Sequence, residues 1–211
     1  LPLSEEVMKG IEELGFGSLF PIQAQAIMSL LRGKDVIGQA QTGTGKTAAF
    51  GIPMIERLNP KIENVQGLIL EPTRELAIQV AKHISQLSKY APFNVLPVYG
   101  GEPIQKQMHA LRNGVQIVVG TPGRIIDHLK RRTLNLASVR MVVVDEADRM
   151  LDMGFVDDVE YILSKVPADR QTSLFSATID RTVMDLCNRY MRNPEKILVS
   201  KDEIAITQMK Q

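Results

Sequence analysis

Cysteine and aromatic rings are scarce in this chain. Its 211 residues include one cysteine, Cys187, and no tryptophan, and aromatic residues make up only 5%. A lone cysteine excludes an internal disulfide framework and a cysteine-built zinc cluster, and it suits a reducing compartment such as the cytoplasm. Few rings leave little to stack on nucleic-acid bases, a contact worth about 1–3 kcal/mol per base. Neither sign of charge is in excess: 25 Lys and Arg face 24 Asp and Glu, for a net charge of +1. Any binding of nucleic acid must therefore come from local groups and not from a basic field. No apolar run approaches the roughly 20 residues that a membrane span needs. The opening residues do not read as a signal peptide, and no repeat or low-complexity segment is visible. The chain begins at Leu1 and not at Met, which reads as a piece of a longer or processed protein.

What is present is ordinary globular composition, 44% hydrophobic and 23% charged, enough for one large domain or two small ones. Short apolar runs alternate with amphipathic stretches. The runs predict strands over Val36–Gln39, Gly67–Leu70, Val95–Val98, Gln116–Val119, Arg140–Val144 and Thr172–Phe175, with another over Ile197–Val199. The aliphatic runs over 67–70 and 141–144 suit strands buried on both faces. Helical spacing is clearest from Thr73 to Tyr90, with Leu76, Val80, Ile84 and Leu87 on one face, and again over Thr182–Met191. Residues 1–34 read as a helical lead-in with Leu3, Val7, Ile11 and Leu14 at helical spacing, and periodicity fades after about residue 200 into the start of a linker. Strands alternating with helices predict an α/β fold, a mostly parallel sheet with helices on both faces. Ligands of such sheets gather at the carboxyl ends of the strands.

One such end carries the most informative stretch: Ala40, Gln41, Thr42, Gly43, Thr44, Gly45, Lys46 and Thr47. Glycines let the backbone curl so that successive N–H groups point at phosphate oxygens. The helix starting near Lys46 adds its positive end. Lys46 would reach the β- and γ-phosphates, and the Thr47 hydroxyl would ligate Mg²⁺. Ala40 stands where the usual pattern has glycine. A second strand end supplies the acidic complement: Asp145 is placed to reach Mg²⁺ through water, and Glu146 to orient or deprotonate an attacking water. The plainer reading of these acids is a favourable first helical turn. The histidines His83, His109 and His128 have no metal-ligand spacing and read as surface or helix-face residues.

Taken together, Ala40–Thr47 and Asp145, Glu146, Ala147 and Asp148 resemble the first RecA-like domain of a DEAD-box ATP-dependent RNA helicase. Further motifs follow in that family's order. Gly15, Phe16, Ile22 and Gln23 resemble its adenine-reading Q motif, and Pro72 to Ala77 its motif Ia. Gly100 and Gly101 resemble its GG motif, Thr121 to Arg124 its motif Ib, and Ser176, Ala177 and Thr178 its motif III. The resemblance covers nearly the whole chain. It implies that Gln23 hydrogen-bonds the adenine edge, which an amide with donor and acceptor suits, and that Phe16 stacks on the ring or, alternatively, belongs to the core. Leu19 and Phe20 stand where the family has proline and threonine, and the aromatic expected upstream would precede Leu1, so weakened adenine binding is expected.

The resemblance also implies that Pro72, Thr73, Arg74, Gly100, Gly101, Thr121, Pro122, Gly123 and Arg124 hold RNA phosphates and sugars. Hydroxyls, glycine N–H groups and a guanidinium read a backbone without reading bases. Thr73 and Pro122 are equally good helix starters without a ligand, and Arg124 has the alternative of bracing its loop. Lys130, Arg131 and Arg132 read as a solvated helix end. Asp148, Ser176 and Thr178 would couple nucleotide state to RNA and to a partner domain, with Asp148 bonded to one of the two hydroxyls. The family uses a second RecA-like domain whose arginines reach the γ-phosphate, and an arginine finger contributes roughly 10³–10⁵ in rate. No matching motif follows Thr178. The fragment is therefore expected to bind ATP with Mg²⁺ and turn over poorly alone, while the full protein closes on single-stranded RNA or a short duplex. A DNA translocase of the same superfamily and a non-catalytic scaffold remain as other classes.

Overall fold

The computed structural model describes residues 3–16, 19, 21–41, 43 and 45–198. Thr42, Thr44 and the expected linker over 201–211 lie outside the described residues.

Seven strands form one sheet, with β1 Val36–Gln39, β2 Gly67–Leu70, β3 Val95–Val98, β4 Ile117–Gly120, β5 Met141–Val144, β6 Gln171–Ser176 and β7 Glu195–Leu198. Their order is β3-β4-β2-β5-β6-β1-β7. All six pairings are parallel, in registers such as Leu70 beside Val144 and Val36 beside Ser173. The α/β expectation holds, and the sheet is wholly parallel. β1, β2 and β3 coincide with the apolar runs, and the boundaries of the other four shift by one or two residues. The largest extension is β6, which gains Gln171 and Ser176 because both are buried and paired within the sheet.

Nine helices occur among the described residues: α1 Glu5–Glu13, α2 Pro21–Leu31, α3 Lys46–Arg57, α4 Arg74–Leu87, α5 Ile104–Arg112, α6 Pro122–Lys130, α7 Ala147–Asp152, α8 Val156–Ser164 and α9 Arg181–Tyr190. No helix among the described residues is long and apolar enough to cross a membrane. The helical lead-in consists of two helices, α1 and α2. Leu3 precedes α1, Leu14 caps it, and Gly15 breaks it at φ 74°. That conformation is open to glycine and strained for most other residues.

Side chains alternate across each strand, so the sheet carries two apolar layers. Met141 and Val143 of β5 join Ile69, Phe175 and the α1–α4 side chains Val7, Ile27, Phe50 and Ile84. Val142 and Val144 join Leu68, Leu174 and the side chains Ile125, Val159, Val183 and Cys187 of α6, α8 and α9. Both faces are covered, as an all-parallel sheet requires. Pro97 sits in β3, an edge strand, where a missing N–H is tolerated. The opposite edge, β7, exposes Glu195, Lys196 and Leu198.

Candidate nucleotide and nucleic-acid sites

Because every strand runs the same way, their carboxyl ends share one rim. In sheet order that rim presents Gly100 and Gly101 after β3, Thr121 to Arg124 after β4, Pro72 to Arg74 after β2, Asp145 to Asp148 after β5, Ser176 to Thr178 after β6, and the glycine-rich loop after β1. The candidate nucleic-acid groups thus occupy one half of the rim and the candidate nucleotide groups the other. The halves meet between β2 and β5.

On the nucleotide half, Ala40 is buried, and its N–H donates to the Ser176 carbonyl at 3.0 Å, fastening the loop to β6. Gln41 and Gly43 are exposed, and Thr47 is half-buried in the first turn of α3. Lys46 is buried, with its ammonium 2.8 Å from Glu146 Oε1 and 3.7 Å from Asp145 Oδ1. Asp145 and Glu146 are buried with it. Burial raises the Asp145 carboxyl above its ordinary value, and Lys46 opposes that shift. Glu146 has φ 49° and ψ 46°, a left-handed backbone at a non-glycine residue, with its N–H accepted by Asp145 Oδ1 at 2.9 Å. Strain of this kind costs about 1–3 kcal/mol and clusters at functional positions.

Gln23 is fully buried, and its Nε2 donates to the Gly45 carbonyl at 3.0 Å. The side chain expected at an adenine edge is here tied to the glycine-rich loop itself. Phe16 is half-buried, packs against the core, and lies parallel to the His83 ring at 6.1 Å between centroids. At least this part of its stacking capacity is used within the protein.

Asp148 bridges β5 and β6. Its N–H donates to Ser176 Oγ at 3.0 Å, and its Oδ2 accepts from the Thr178 N–H at 3.1 Å and the Thr178 hydroxyl at 3.0 Å. Ser176 Oγ in turn donates to the Thr178 carbonyl at 2.7 Å. Partial burial works against the Asp148 charge, but the bonds from Thr178, the Arg149 N–H and Ser176 outweigh it and lower the carboxyl's pKa.

On the other half of the rim, Pro72 is buried and the Thr73 hydroxyl accepts from the Leu76 N–H at 3.3 Å, the capping alternative. Arg74 is exposed, and its guanidinium lies over the Tyr99 ring at 5.0 Å beside Gly101. Gly100, Gly101 and Gly123 are exposed, and Thr121 makes no capping bond with its side chain. Arg124 departs from the expectation of direct backbone contact. Its guanidinium turns inward to the Glu102 carbonyl and Gln107 Oε1, each at 3.2 Å, which braces the loop after β3.

That brace belongs to a network the sequence did not disclose. Gln107 is buried, and its Nε2 donates to the Tyr99 carbonyl at 2.9 Å and Glu102 Oε1 at 2.8 Å. Its Oε1 also lies 2.9 Å from His128 Nε2. His128 is a correction: expected on a surface or helix face, it is fully buried. Gln107 and Thr133 satisfy both ring nitrogens, at 2.9 Å and 2.7 Å. Burial lowers its pKa, helped by the Arg124 charge. Lys130, Arg131 and Arg132 are exposed, and Arg131 pairs with Asp127 at 2.7 Å.

One acidic residue of the rim was also missed. Glu71, next after β2, is fully buried, and neither carboxylate oxygen meets a donor. Its neighbour Asp145 is likewise an acceptor, so the two can bond only when one carries a proton. Burial first, then Asp145 and Glu146, raise the Glu71 carboxyl well above the usual range against the pull of Lys46. A signal existed: a carboxylate directly after the aliphatic run Gly67–Leu70 must sit on the same rim as Asp145, which follows an equivalent run.

Comparison with known proteins follows the same lines. The family model of DEAD/DEAH box helicases matches residues 20–186. A DEAD-box ATP-dependent RNA helicase CshA of Geobacillus kaustophilus is 53% identical over 211 residues, covering 100% of this chain and 45% of the relative. The helicase of the same description from Bacillus subtilis is 50% identical over 209 residues, covering 99% and 42%. The chain thus spans under half the length of these curated relatives. Among solved structures, a DEAD box protein from the hyperthermophile Methanococcus jannaschii superposes with a TM-score of 0.91 at 43% identity, over 95% of this chain and 55% of that one. A hypothetical ATP-dependent RNA helicase from Sulfolobus tokodaii gives 0.86 at 38% identity, over 93% and 57%.

Proposed function

Because this chain belongs to the DEAD/DEAH box helicase family, we propose that it is the ATP-holding half of a two-domain, RNA-stimulated ATPase. In that reading residues 35–200 are the first RecA-like unit, 1–34 its lead-in, and 201–211 the start of the linker to a second such unit. The full protein would act in the cytoplasm, parting short RNA duplexes or remodelling RNA–protein complexes.

The observation that carries the reading is the buried cluster of Lys46, Asp145 and Glu146, drawn from the ends of two different strands. The Lys46 ammonium rests on Glu146. A triphosphate in the glycine-rich loop would draw Lys46 to its β- and γ-oxygens. Glu146 would then be free to accept a proton from a water in line with the γ-phosphate. The donor set suits Mg²⁺: Thr47 and Asp145 offer oxygen, the ligand type a hard cation prefers. Among the described residues no three His, Cys, Asp or Glu are grouped to enclose a metal ion. The cation would therefore be held largely through water and phosphate, and when bound it would neutralise charge developing on the phosphoryl oxygens. Gln23, which holds the Gly45 carbonyl, would pass the presence of adenine to the loop's shape.

RNA would lie across the other half of the rim. Arg74 and the exposed N–H groups of Gly100, Gly101 and Gly123 are its readiest partners, with Thr121 and Pro122 at the start of α6. Thr73 and Arg124 would serve there by holding α4 and the loop after β3. The Asp148–Ser176–Thr178 bridge would link the nucleotide half to the second domain. ATP and RNA both favour the closed pair of domains, so each should tighten the other's binding.

The test is to mix this chain with the second half of its protein and measure ATP hydrolysis with and without RNA. Background turnover by the chain alone and RNA-dependent turnover by the mixture are expected. Lys46→Ala should abolish nucleotide binding. A mixture that stays at background with RNA present, or a Lys46→Ala chain that binds nucleotide undiminished, would refute the reading.

A further inference from the structure

A buried carboxylate without a donor is unfavourable, so a fold that keeps one generally supplies a compensating charge or ligand. Glu71 is such a group, and among the described residues it holds the only buried side-chain oxygens without a hydrogen-bond partner. Its backbone is fixed. The Glu71 N–H donates to the Gly120 carbonyl at 2.9 Å, and the adjacent Asp145 N–H donates to the Leu70 carbonyl at 3.1 Å. The ladder of β2 and β5 therefore delivers Glu71 and Asp145 side by side. Asp145 and Glu146 flank the Lys46 ammonium at 3.7 Å and 2.8 Å, and Glu71 adjoins Asp145.

We propose that Glu71 is a third acidic anchor of the cation site, accepting hydrogen bonds from water bound to the Mg²⁺ that accompanies the nucleotide. It is a positioning residue, acting through those waters and beside Asp145. The proposal rests on the ATP-binding reading above. An outer-shell place suits the absence, among the described residues, of a group arranged to grip a bare ion, and Mg²⁺ sheds its waters reluctantly. Outer-shell partners change metal affinity by about 10–100-fold. The competing role for Glu71 is that of a neutral acid that merely donates its proton to Asp145. Glutamine at this position has nearly the same shape and can make that neutral donation, so it separates the two roles.

The probe is Mn²⁺, followed by electron paramagnetic resonance as it is titrated into this chain saturated with ADP. Glu71→Gln is expected to weaken Mn²⁺ binding about tenfold or more, while ADP affinity in EDTA and the melting temperature are maintained. Glu71→Ala, which leaves no side-chain amide to substitute for the lost group, should weaken Mn²⁺ binding as well. Wild-type Mn²⁺ affinity in Glu71→Gln would overturn the proposal and leave the neutral acid. If the unaltered chain bound neither ADP nor Mn²⁺ with ADP, the nucleotide reading itself would fail and this proposal with it. That outcome is distinct from a variant that merely equals wild type.

Discussion

Gly45 shows how much one residue can fix. Its φ is 75°, a left-handed value, and a Cβ built there would overlap Gln23 Nε2. Glycine thus permits both the curl of the loop and the close approach of the amide that secures it. Gly45→Ala must strain the backbone, by about 1–2 kcal/mol, and also push Gln23 off the Gly45 carbonyl. Expected results are a drop in melting temperature and at least a roughly tenfold loss of ADP affinity, on the scale of about 1.4 kcal/mol per decade. Gln23→Ala in the same chain removes the obstructing group. Residues in contact are coupled, so the double variant should lose less stability than the two single variants summed. Strict additivity in thermal unfolding would contradict the contact as the cause.

At the scale of elements, α5, α6 and the loops after β3 and α6 are joined through Gln107, Arg124, His128 and Thr133. Buried networks of this kind are costly when one member changes state. His128 is held below its ordinary value of 6.5 in the folded chain, as is His83, in both cases through burial first. When pH falls, the unfolded chain therefore takes up these protons before the folded one does. The contribution to stability is complete above the unfolded value and declines as pH drops below about 6.5. Melting temperature should fall between about pH 7 and about pH 5.5, and His128→Gln should flatten part of that fall. An unchanged slope in His128→Gln would assign the effect to other groups.

The same elements show what could be read in advance. Continuous aliphatic runs marked β2 and β5, because strands buried on both faces need no polar alternation, and the rule of strand carboxyl ends placed Lys46, Asp145 and Glu146 on one rim. Glu71 was legible by that rule, since it directly follows the aliphatic run of β2. Gln107 and His128 carried no such signal. Their roles arise from tertiary pairing between α5 and α6, and a glutamine or histidine on an amphipathic helix reads as solvated. The end of α1 was legible, since Leu3, Val7, Ile11 and Leu14 keep helical spacing only up to Gly15.

Over the whole molecule, the sheet is at once scaffold and divider. The groups proposed for RNA and those proposed for nucleotide lie on opposite halves of one rim, and both halves are rooted in apolar layers that cover the sheet's two faces. Cys187 reports on the integrity of that arrangement. It is buried on α9 beside Leu186 and Val183, and burial pushes its thiol up to about 11. Thiolate is the reactive form, so at neutral pH alkylation should need an opening that exposes it. If that opening is global, a ligand that binds only the folded chain slows labelling by the factor 1 + [L]/Kd, which is about a hundredfold at 100 times Kd. Magnesium ADP should therefore protect Cys187, which lies on α9 and not on the loop after β1. Lys46→Ala should abolish that protection, and because it leaves Asp145 and Glu146 buried without their ammonium it should also raise the unliganded labelling rate. Fast labelling that ADP leaves unchanged would instead mean that α9 opens by itself, and that the layer behind β6 is not cooperative with the loop after β1.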